Sequence, residues 1–484
     1  MSKRASRTQI TSSLRIQCVK TQHFDVIVIG AGPAGMTAAL RVSALGARVA
    51  LLDRRRTGGT CTNTGCVPTR VLAITARLMR DIRSAGGYGV VVDAPQLEWA
   101  QTVSRVREVI AEIANVKRVQ DKLRQYNGEV FLEGAASFVD AHTVRLEDSG
   151  RLLTADKFIL CTGGKARRPA IAGVEHAITP DQIIDLESLP RSVVIVGSGY
   201  TGVQVTTIMN AFGAMVTLLE TAPVILPPAD ADVGRALREG FERQGVRVVT
   251  GIGGLQEIVL NDDRSRTVTY TLRGEAKQVT ADAVILAVGW PADLDGLNLA
   301  SAGVDVERGF VKMNACLQTT AAHIYVAGDA NGRDMLVQGA NFEAETAAEN
   351  AVTGGSFEFV RDSLPSGGFT DPDHAGVGLT EAQARDSGVQ YVVGVARYAD
   401  LERAIIDSRS AGFFKLIARR DTGQIIGAHG AGESAVEVMQ AVATAMAAGV
   451  NAATLAAVRF AYPTYTAIIG EAAKRLEAQR VRNV

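Results

Sequence analysis

Short apolar runs separated by glycine-rich turns mark the first part of the chain. Phe24–Ile29 is an apolar run, and Met36–Leu45 is apolar with helical spacing. Arg48–Leu52 is a further apolar run that ends at Asp53. This order of strand, turn, helix and strand predicts a Rossmann βαβ unit.

The turn between the first strand and its helix carries three glycines, Gly30, Gly32 and Gly35. Gly30 allows the tight turn, Gly32 lets the backbone approach a pyrophosphate, and Gly35 permits close packing of the helix. Asp53 lies eighteen residues after Gly35, where it suits a ribose hydroxyl. The pattern therefore predicts a dinucleotide site.

The same pattern occurs a second time, from the apolar run Ser192–Val196 to Glu220. The glycines of its turn are Gly197, Gly199 and Gly202. The acid again follows the last glycine by eighteen residues. One chain with two such units suggests FAD in the first and a nicotinamide dinucleotide in the second.

The remaining segments predict a different architecture. Leu97–Tyr126 reads as a long, charged, solvent-facing helix. From about Phe359 the pattern changes to a mixture of strands and helices. The predicted strands are Gly412–Ile417 and Gln424–Ala428, and the predicted helices are Ser434–Ala448 and Ala467–Gln479.

Composition narrows the function classes. The chain has 484 residues, 47% of them hydrophobic and 21% charged, and this balance and length suit about three globular domains. The formal net charge of zero argues against nucleic acid or a membrane surface as a partner. From the composition as a whole we expect a cytoplasmic protein. Residues 1–22 are basic and read as a disordered extension, with a transit peptide as the alternative.

Two cysteines carry the clearest chemical signal. Cys61 and Cys66 lie five residues apart in a glycine-rich stretch, and Pro68 is tolerated in a first helical turn. A helix N-terminus favours a thiolate, so a pair in this place suits a dithiol–disulfide cycle. The alternatives are two structural cysteines or half of a zinc site. Zinc needs four ligands and the sequence has no second Cys/His cluster, so no metal site is predicted.

The segment 58–70, GGTCTNTGCVPTR, closely resembles the active-disulfide motif of the flavoprotein pyridine-nucleotide disulfide oxidoreductases. Residues 157–164, KFILCTGG, resemble the crossing from the FAD domain to the NAD domain, and residues 322–329, AHIYVAGD, resemble the second FAD motif. The resemblance implies an α/β fold with two Rossmann-like dinucleotide-binding domains, one for FAD and one for NAD, and a C-terminal α+β dimerisation domain.

The implied domains follow the motifs. The FAD-binding domain takes residues 23–170 and 291–358, the NAD(P)-binding domain 171–290, and the interface domain 359–484. Two subunits would pair head to tail, and each active site would be completed by the partner's C-terminus. A homodimer is therefore expected.

The resemblance also implies site residues. FAD would be held by Gly30, Gly32, Gly35, Asp53, Gly59, Thr60, Thr162, Gly163, Gly328 and Asp329, and NAD(H) by Gly197, Gly199, Gly202 and Glu220. Cys66 would be the thiolate that contacts flavin, Cys61 the thiol that meets substrate, and Tyr200 the gate over the nicotinamide site. Glu220 favours NADH over NADPH because it would repel a 2′-phosphate.

The chain departs from the family pattern in two places. Tyr462 and Ala467 stand where a histidine and a glutamate usually act as the acid–base pair. Arg70 and Gln204 stand where a lysine usually pairs with a glutamate near the flavin. An arginine without its acid is expected to stabilise the thiolate. Without the histidine, poor turnover of dihydrolipoamide and glutathione is expected.

The sequence thus predicts an NAD(P)H oxidoreductase that passes electrons through flavin to Cys61–Cys66, and on to a small-molecule disulfide, a metal ion or another electrophile. One alternative is direct transfer from flavin to a quinone, a dye or a second nicotinamide. The other is a non-catalytic flavoprotein that has kept the fold.

Overall fold

The structure is a computed structural model that describes residues 22–125, 131–359 and 363–482. The predicted basic extension, except its last residue, lies outside the described residues. The strands are β1 Gln22–Ile29, β2 Val49–Asp53, β3 Phe131–Glu133, β4 Ala136–Asp140, β5 Thr143–Leu146, β6 Leu152–Leu160, β7 Ser192–Val196, β8 Met215–Glu220, β9 Arg247–Thr250, β10 Ile252–Leu260, β11 Arg266–Leu272, β12 Glu275–Ala281, β13 Ala283–Leu286, β14 Val306–Glu307, β15 Phe310–Val311, β16 Ile324–Val326, β17 Ser366–Gly368, β18 His374–Gly378, β19 Tyr391–Arg397, β20 Phe413–Arg419 and β21 Ile425–Ala431. The α-helices are α1 Pro33–Ala44, α2 Gly59–Asn63, α3 Cys66–Ser84, α4 Trp99–Lys117, α5 Val119–Gln125, α6 Tyr200–Ala211, α7 Ala231–Arg243, α8 Val337–Thr353, α9 Glu381–Asp386, α10 Glu402–Ile406, α11 Ala435–Ala447, α12 Ala452–Ala457 and α13 Ala467–Arg482.

The first sheet combines strands that precede the second glycine loop in the sequence with one strand that follows it. Strands β3, β2, β1 and β6 lie side by side in parallel, β16 pairs in parallel with β6, and β5 and β4 continue the sheet antiparallel. Helices α1 and α8 pack together against it. Since β16 follows the second glycine loop in sequence, this unit is discontinuous along the chain.

The second sheet is a parallel layer with the order β13-β7-β8-β9. A three-stranded antiparallel layer, β10-β11-β12, packs on it through an apolar cluster that includes Ile252, Val268 and Leu286. One chain therefore contains two sheets with the parallel strands of a dinucleotide-binding unit, as the repeated pattern predicts.

The segment between the cysteines and β3 differs from the prediction. The expected single helix over Leu97–Tyr126 is broken at Arg118, whose φ of 39° is left-handed, so that α4 and α5 are separate. Helix α4 is also not simply solvent-facing. Trp99, Val103 and Val106 are buried in the core of the second sheet. The sequence did not indicate this apolar face, because most residues of the segment are polar or charged.

The C-terminal unit is a five-stranded antiparallel sheet with the order β17-β18-β21-β20-β19. Helices α11, α12 and α13 pack against it around an apolar cluster. Lys415 on β20, only 1% exposed, forms ion pairs with Asp230 and Asp232 of the second unit and with Glu381. This charge cluster, in which Lys415 and Asp230 are buried, ties the C-terminal sheet to the N-terminus of α7.

Candidate active site

One continuous cleft of about 2920 Å³ brings most of the predicted site residues together. Its walls include Cys61, Cys66, Tyr200 and the predicted cofactor residues, except Gly35 and Gly202. Those two glycines lie in the helices α1 and α6, packed against the turns before them. Neither Arg70 nor Tyr462 lines the cleft.

The first glycine loop has no room for side chains at its two ends. Gly30 has φ +106°, and a Cβ there would lie 2.2 Å from the carbonyl oxygen of Cys161. A Cβ at Gly35 would lie 1.7 Å from the carbonyl oxygen of Gly30. Helix α1 therefore begins directly against the turn, and its free N–H groups form a site for an anion such as a pyrophosphate.

The polar residues beside this loop fit FAD. Asp53 accepts hydrogen bonds from the backbone N–H groups of Ala31 at 2.5 Å and Arg55 at 2.7 Å, which leaves lone pairs for ribose hydroxyls. Burial raises the pKa of Asp53. The hydroxyl of Thr162 is buried without a hydrogen-bond partner among the described residues. A bound flavin would offer this hydroxyl a partner.

Asp329 has a partner that the sequence did not indicate. The indole N–H of Trp290 donates to Oδ2 of Asp329 at 3.0 Å, and both residues line the cleft. Burial raises the pKa of Asp329, and the indole bond opposes that rise. A Cβ at Gly164 would lie 2.3 Å from the indole nitrogen, so this glycine makes room for the ring. Sequence motifs carried no signal for Trp290.

The second glycine loop repeats the first. A Cβ at Gly197, where φ is +94°, would lie 2.3 Å from the carbonyl oxygen of Ala287. Glu220 accepts from the N–H and hydroxyl of Ser198 at 2.7 and 2.6 Å and from the N–H of Ala222 at 2.8 Å. Burial raises the pKa of Glu220, but these bonds outweigh it and hold the pKa below its ordinary value. The carboxylate is therefore charged at neutral pH.

The two cysteines are free thiols, and each is the largest influence on the pKa of the other. Cys61 lies in α2, and Cys66 is the first residue of α3. Donation from the Cys61 thiol to a Cys66 thiolate lowers the pKa of Cys66 below its ordinary value, against the effect of burial. The same interaction and burial raise the pKa of Cys61. The pair is thus polarised, with the thiolate at Cys66 on the helix N-terminus.

Lys117 is a second residue that the sequence did not single out. It is the last residue of α4, and its ammonium group donates to the hydroxyl of Thr62 at 2.9 Å. Thr62 follows Cys61 directly in α2, and the positive charge of Lys117 lowers the pKa of both thiols. Because Leu97–Tyr126 read as a solvent-facing helix, no residue of it was expected at the site.

Arg70 lies with its guanidinium carbon 3.4 Å from the centre of the Phe369 ring. Burial lowers the pKa of Arg70, the charges of Asp373 and Glu437 oppose that effect, and the charge of Arg77 adds to it. Among the described residues Arg70 forms no ion pair. Gln204 instead donates to the carbonyl of Tyr200 at 2.9 Å. A role for Arg70 in the reaction stays a prediction.

The two predicted tyrosines are placed differently. Tyr200 is the first residue of α6 and lines the cleft, with its ring parallel to that of His374. Tyr462 is 77% exposed and lies away from the cleft of its own chain. The structure therefore joins the cysteines, both glycine loops and Tyr200, and does not bring Tyr462 to them.

Comparison with known proteins agrees with this geometry. The family model of the pyridine nucleotide-disulphide oxidoreductases matches residues 24–344, and the model of their dimerisation domain matches residues 364–473. A mercuric reductase of Bacillus cereus is 31% identical over 435 residues, 89% of this chain and 68% of that protein. A dihydrolipoyl dehydrogenase of Chlorobaculum parvum is 32% identical over 458 residues, 93% of this chain and 96% of that protein. A glutathione reductase of Nostoc is 30% identical over 443 residues, 89% of this chain and 95% of that protein. The chain therefore belongs to the pyridine nucleotide-disulphide oxidoreductases, FAD-dependent enzymes that use NAD(P)H, which confirms the family, the fold class and the two cofactors predicted from its motifs.

Proposed function

We propose that the protein takes electrons from NADH and delivers them through the Cys61–Cys66 pair to a disulfide, a metal ion or another electrophile. The observation that carries the proposal is a polarised thiol pair in the same cleft as two dinucleotide loops. The start of α3 and the positive charge of Lys117 both favour a thiolate at Cys66, which a structural cysteine does not need.

The glycine loops and acids would hold the cofactors. When bound, FAD accepts a hydride from the nicotinamide and supplies the electron pair that reduces the disulfide. Asp53, Thr162 and Asp329 would contact FAD, and Glu220 would face the ribose of the nicotinamide nucleotide. Because Glu220 is charged and the following residues 221–224 carry no arginine, NADH is the preferred donor.

The two thiols would then divide the remaining work. With a disulfide acceptor, the Cys61 sulfur attacks one acceptor sulfur and forms a mixed disulfide, while the proton of the Cys61 thiol passes to the other acceptor sulfur, which leaves as a thiol. The Cys66 thiolate next attacks Cys61, restores the Cys61–Cys66 disulfide and releases the second acceptor thiolate. The low pKa of Cys66 keeps it ready for that second step.

This chain differs from the usual family pattern in the residues that would exchange a proton with the acceptor. Tyr462 and Ala467 offer no imidazole or carboxylate in the C-terminal segment. A phenol is a poor general acid–base group at neutral pH, and such help contributes about 10²–10⁴-fold to a rate. The acceptor is therefore one that needs little proton transfer, and dihydrolipoamide and glutathione disulfide are poor substrates.

A homodimer would bring Tyr462 to the site. The dimerisation domain supports pairing of two copies. Helix α3 leaves Ile74, Leu78 and Ile82 exposed at helical spacing, and α10 leaves Ile405 and Ile406 exposed. The two helices adjoin, since the Tyr88 hydroxyl that follows α3 donates to the carbonyl of Ile406 at 3.2 Å. An apolar face of this kind suits a subunit contact.

The domain limits remain a proposal from the motifs: residues 23–170 and 291–358 would bind FAD, residues 171–290 would bind NAD(H), and residues 359–484 would form the interface. Within the described ranges no helix is both long and apolar enough to cross a membrane. A cytoplasmic location remains a prediction from composition.

The test is NADH oxidation against a panel of acceptors, with the wild type and Cys61→Ser compared. The panel contains a small aromatic disulfide, mercuric ion, lipoamide, glutathione disulfide and a quinone. We expect the aromatic disulfide or the metal ion to be reduced by the wild type and not by Cys61→Ser. Equal activity of both proteins with every acceptor would show direct transfer from flavin, which is the alternative function.

A further inference from the structure

His374 is a buried titratable residue that the proposed reaction does not use. It begins β18, is 1% exposed, and its ring lies parallel to that of Tyr200, with 15° between the planes and 6.0 Å between the centres. The ring occupies space beside Gly368, where a Cβ would lie 2.3 Å from Cε1 of His374. The strand β17 therefore carries a glycine at the point where the imidazole packs.

The hydrogen bonds of His374 define its protonation state. The Thr370 hydroxyl donates its proton to the carbonyl of Pro372 at 2.6 Å, so it can only accept from Nδ1 of His374 at 2.9 Å. The proton of the imidazole is then on Nδ1. Nε2 is buried without a partner among the described residues, and burial lowers the pKa of His374 to about 4. The imidazole is therefore neutral, and its only hydrogen bond among the described residues is the one from Nδ1 to Thr370.

The neighbours of His374 connect it to the nicotinamide half of the cleft. Tyr200 lines that half, as do Gly367 and Phe369 on either side of Gly368. Tyr200 is also held through its backbone, since its carbonyl accepts from Gln204, which in turn accepts from the N–H of Phe369 at 3.3 Å. The side chain of Tyr200 thus has His374 as its aromatic neighbour.

We propose that His374 is a positioning residue for Tyr200. Its ring stacks on the tyrosine ring and holds that side chain over the nicotinamide site, so this contact must break before a nicotinamide can enter. The inference rests on the proposed role of Tyr200 as a gate. A residue without a ring would not stack on Tyr200. His374 touches no substrate in this arrangement and acts only through Tyr200.

The experiment measures NAD⁺ affinity of the FAD-loaded protein by calorimetry, which needs no turnover. His374→Asn keeps a donor for Thr370 and removes the ring, whereas His374→Leu removes both. We expect both variants to bind NAD⁺ roughly two- to twelve-fold more tightly than the wild type, the range for one aromatic pair. In steady-state assays KM for NADH should fall while kcat is unchanged.

Tyr200→Ala provides the matched control, because the contact is lost from the other side. On that background His374→Asn should have no further effect on NAD⁺ affinity, as a double-mutant cycle requires for a direct contact. Variants with unchanged NAD⁺ affinity and full FAD content, or effects that simply add to that of Tyr200→Ala, would overturn the inference. Absence of NAD⁺ binding by the wild type would instead overturn the proposed function, together with the gate.

Discussion

Cys66 should become measurably less acidic when Cys61 can no longer donate a hydrogen bond to its thiolate. Donation from the Cys61 thiol is the largest influence that lowers the Cys66 pKa. A hydrogen bond to a charged group contributes about 1.5–3 kcal/mol. Since one pKa unit corresponds to about 1.36 kcal/mol, its loss should raise the pKa by about 1–2 units.

Two substitutions of Cys61 isolate the donor. Cys61→Ala removes the thiol and its hydrogen bond, and Cys61→Ser replaces the thiol with a hydroxyl that can still donate. Neither variant can form the disulfide, so the Cys66 thiolate faces oxidised flavin without any reductant. The long-wavelength charge-transfer absorbance then reports the thiolate directly.

The assay is a pH titration of that absorbance in both FAD-loaded variants. A thiolate with a lowered pKa gives absorbance above its pKa and loses it as the pH falls through that value. We expect the midpoint of Cys61→Ala to lie about 1–2 units above that of Cys61→Ser. Lys117→Met in either background should raise the midpoint further, because the nearby positive charge is lost. Identical midpoints in the two variants, or a charge-transfer band that requires Cys61 rather than Cys66, would refute the assignment.

Four further outcomes are expected. Gly30→Ala should abolish FAD retention, because its Cβ would meet the Cys161 carbonyl at 2.2 Å, while Gly46→Ala, with φ +85° and no atom within 4 Å, should cost only about 1 kcal/mol in denaturant unfolding. Trp290→Phe should weaken FAD binding to the apoprotein, because the bond to Asp329 is lost; unchanged FAD affinity in a reconstitution titration would count against this role. The wild type should show a higher kcat/KM with NADH than with NADPH, and Glu220→Gln should narrow that ratio by removing the charge; a wild type that favours NADPH would contradict the reasoning. Leu78→Asp, on the exposed face of α3, should shift the protein from dimer to monomer in light scattering, whereas an intact dimer would exclude this face as the contact.

The sequence predicts the two βαβ units well, because the same local pattern of glycines and a terminal acid occurs in both. Both βαβ units were identified because each needs glycines at a fixed spacing and a terminal acid. The structure shows the reason at Gly30 and Gly197, where a carbonyl oxygen of another segment occupies the place of a Cβ. The strand Ser192–Val196 was predicted with its observed limits for the same reason.

Long-range contacts were the parts that sequence patterns missed. Trp290 meets Asp329, and Lys117 meets Thr62, across separations that no motif records. Arg70 packs on the Phe369 ring and lies near the charges of Asp373 and Glu437, neighbours that segment 58–70 does not indicate. Side chains that come from different units depend on how those units pack, and periodicity within one segment carries no information about that packing.

The number of electrons that the protein accepts from NADH tests most directly whether the thiol pair is part of the electron path. In an anaerobic titration, FAD alone takes two electrons, and a reducible Cys61–Cys66 disulfide takes two more. We expect uptake of about four electrons per FAD in the wild type and about two in Cys61→Ser. If the first two electrons bleach the flavin of the wild type as fully as that of Cys61→Ser, with no long-wavelength thiolate-to-flavin absorbance and no further uptake, the pair does not receive electrons from the flavin.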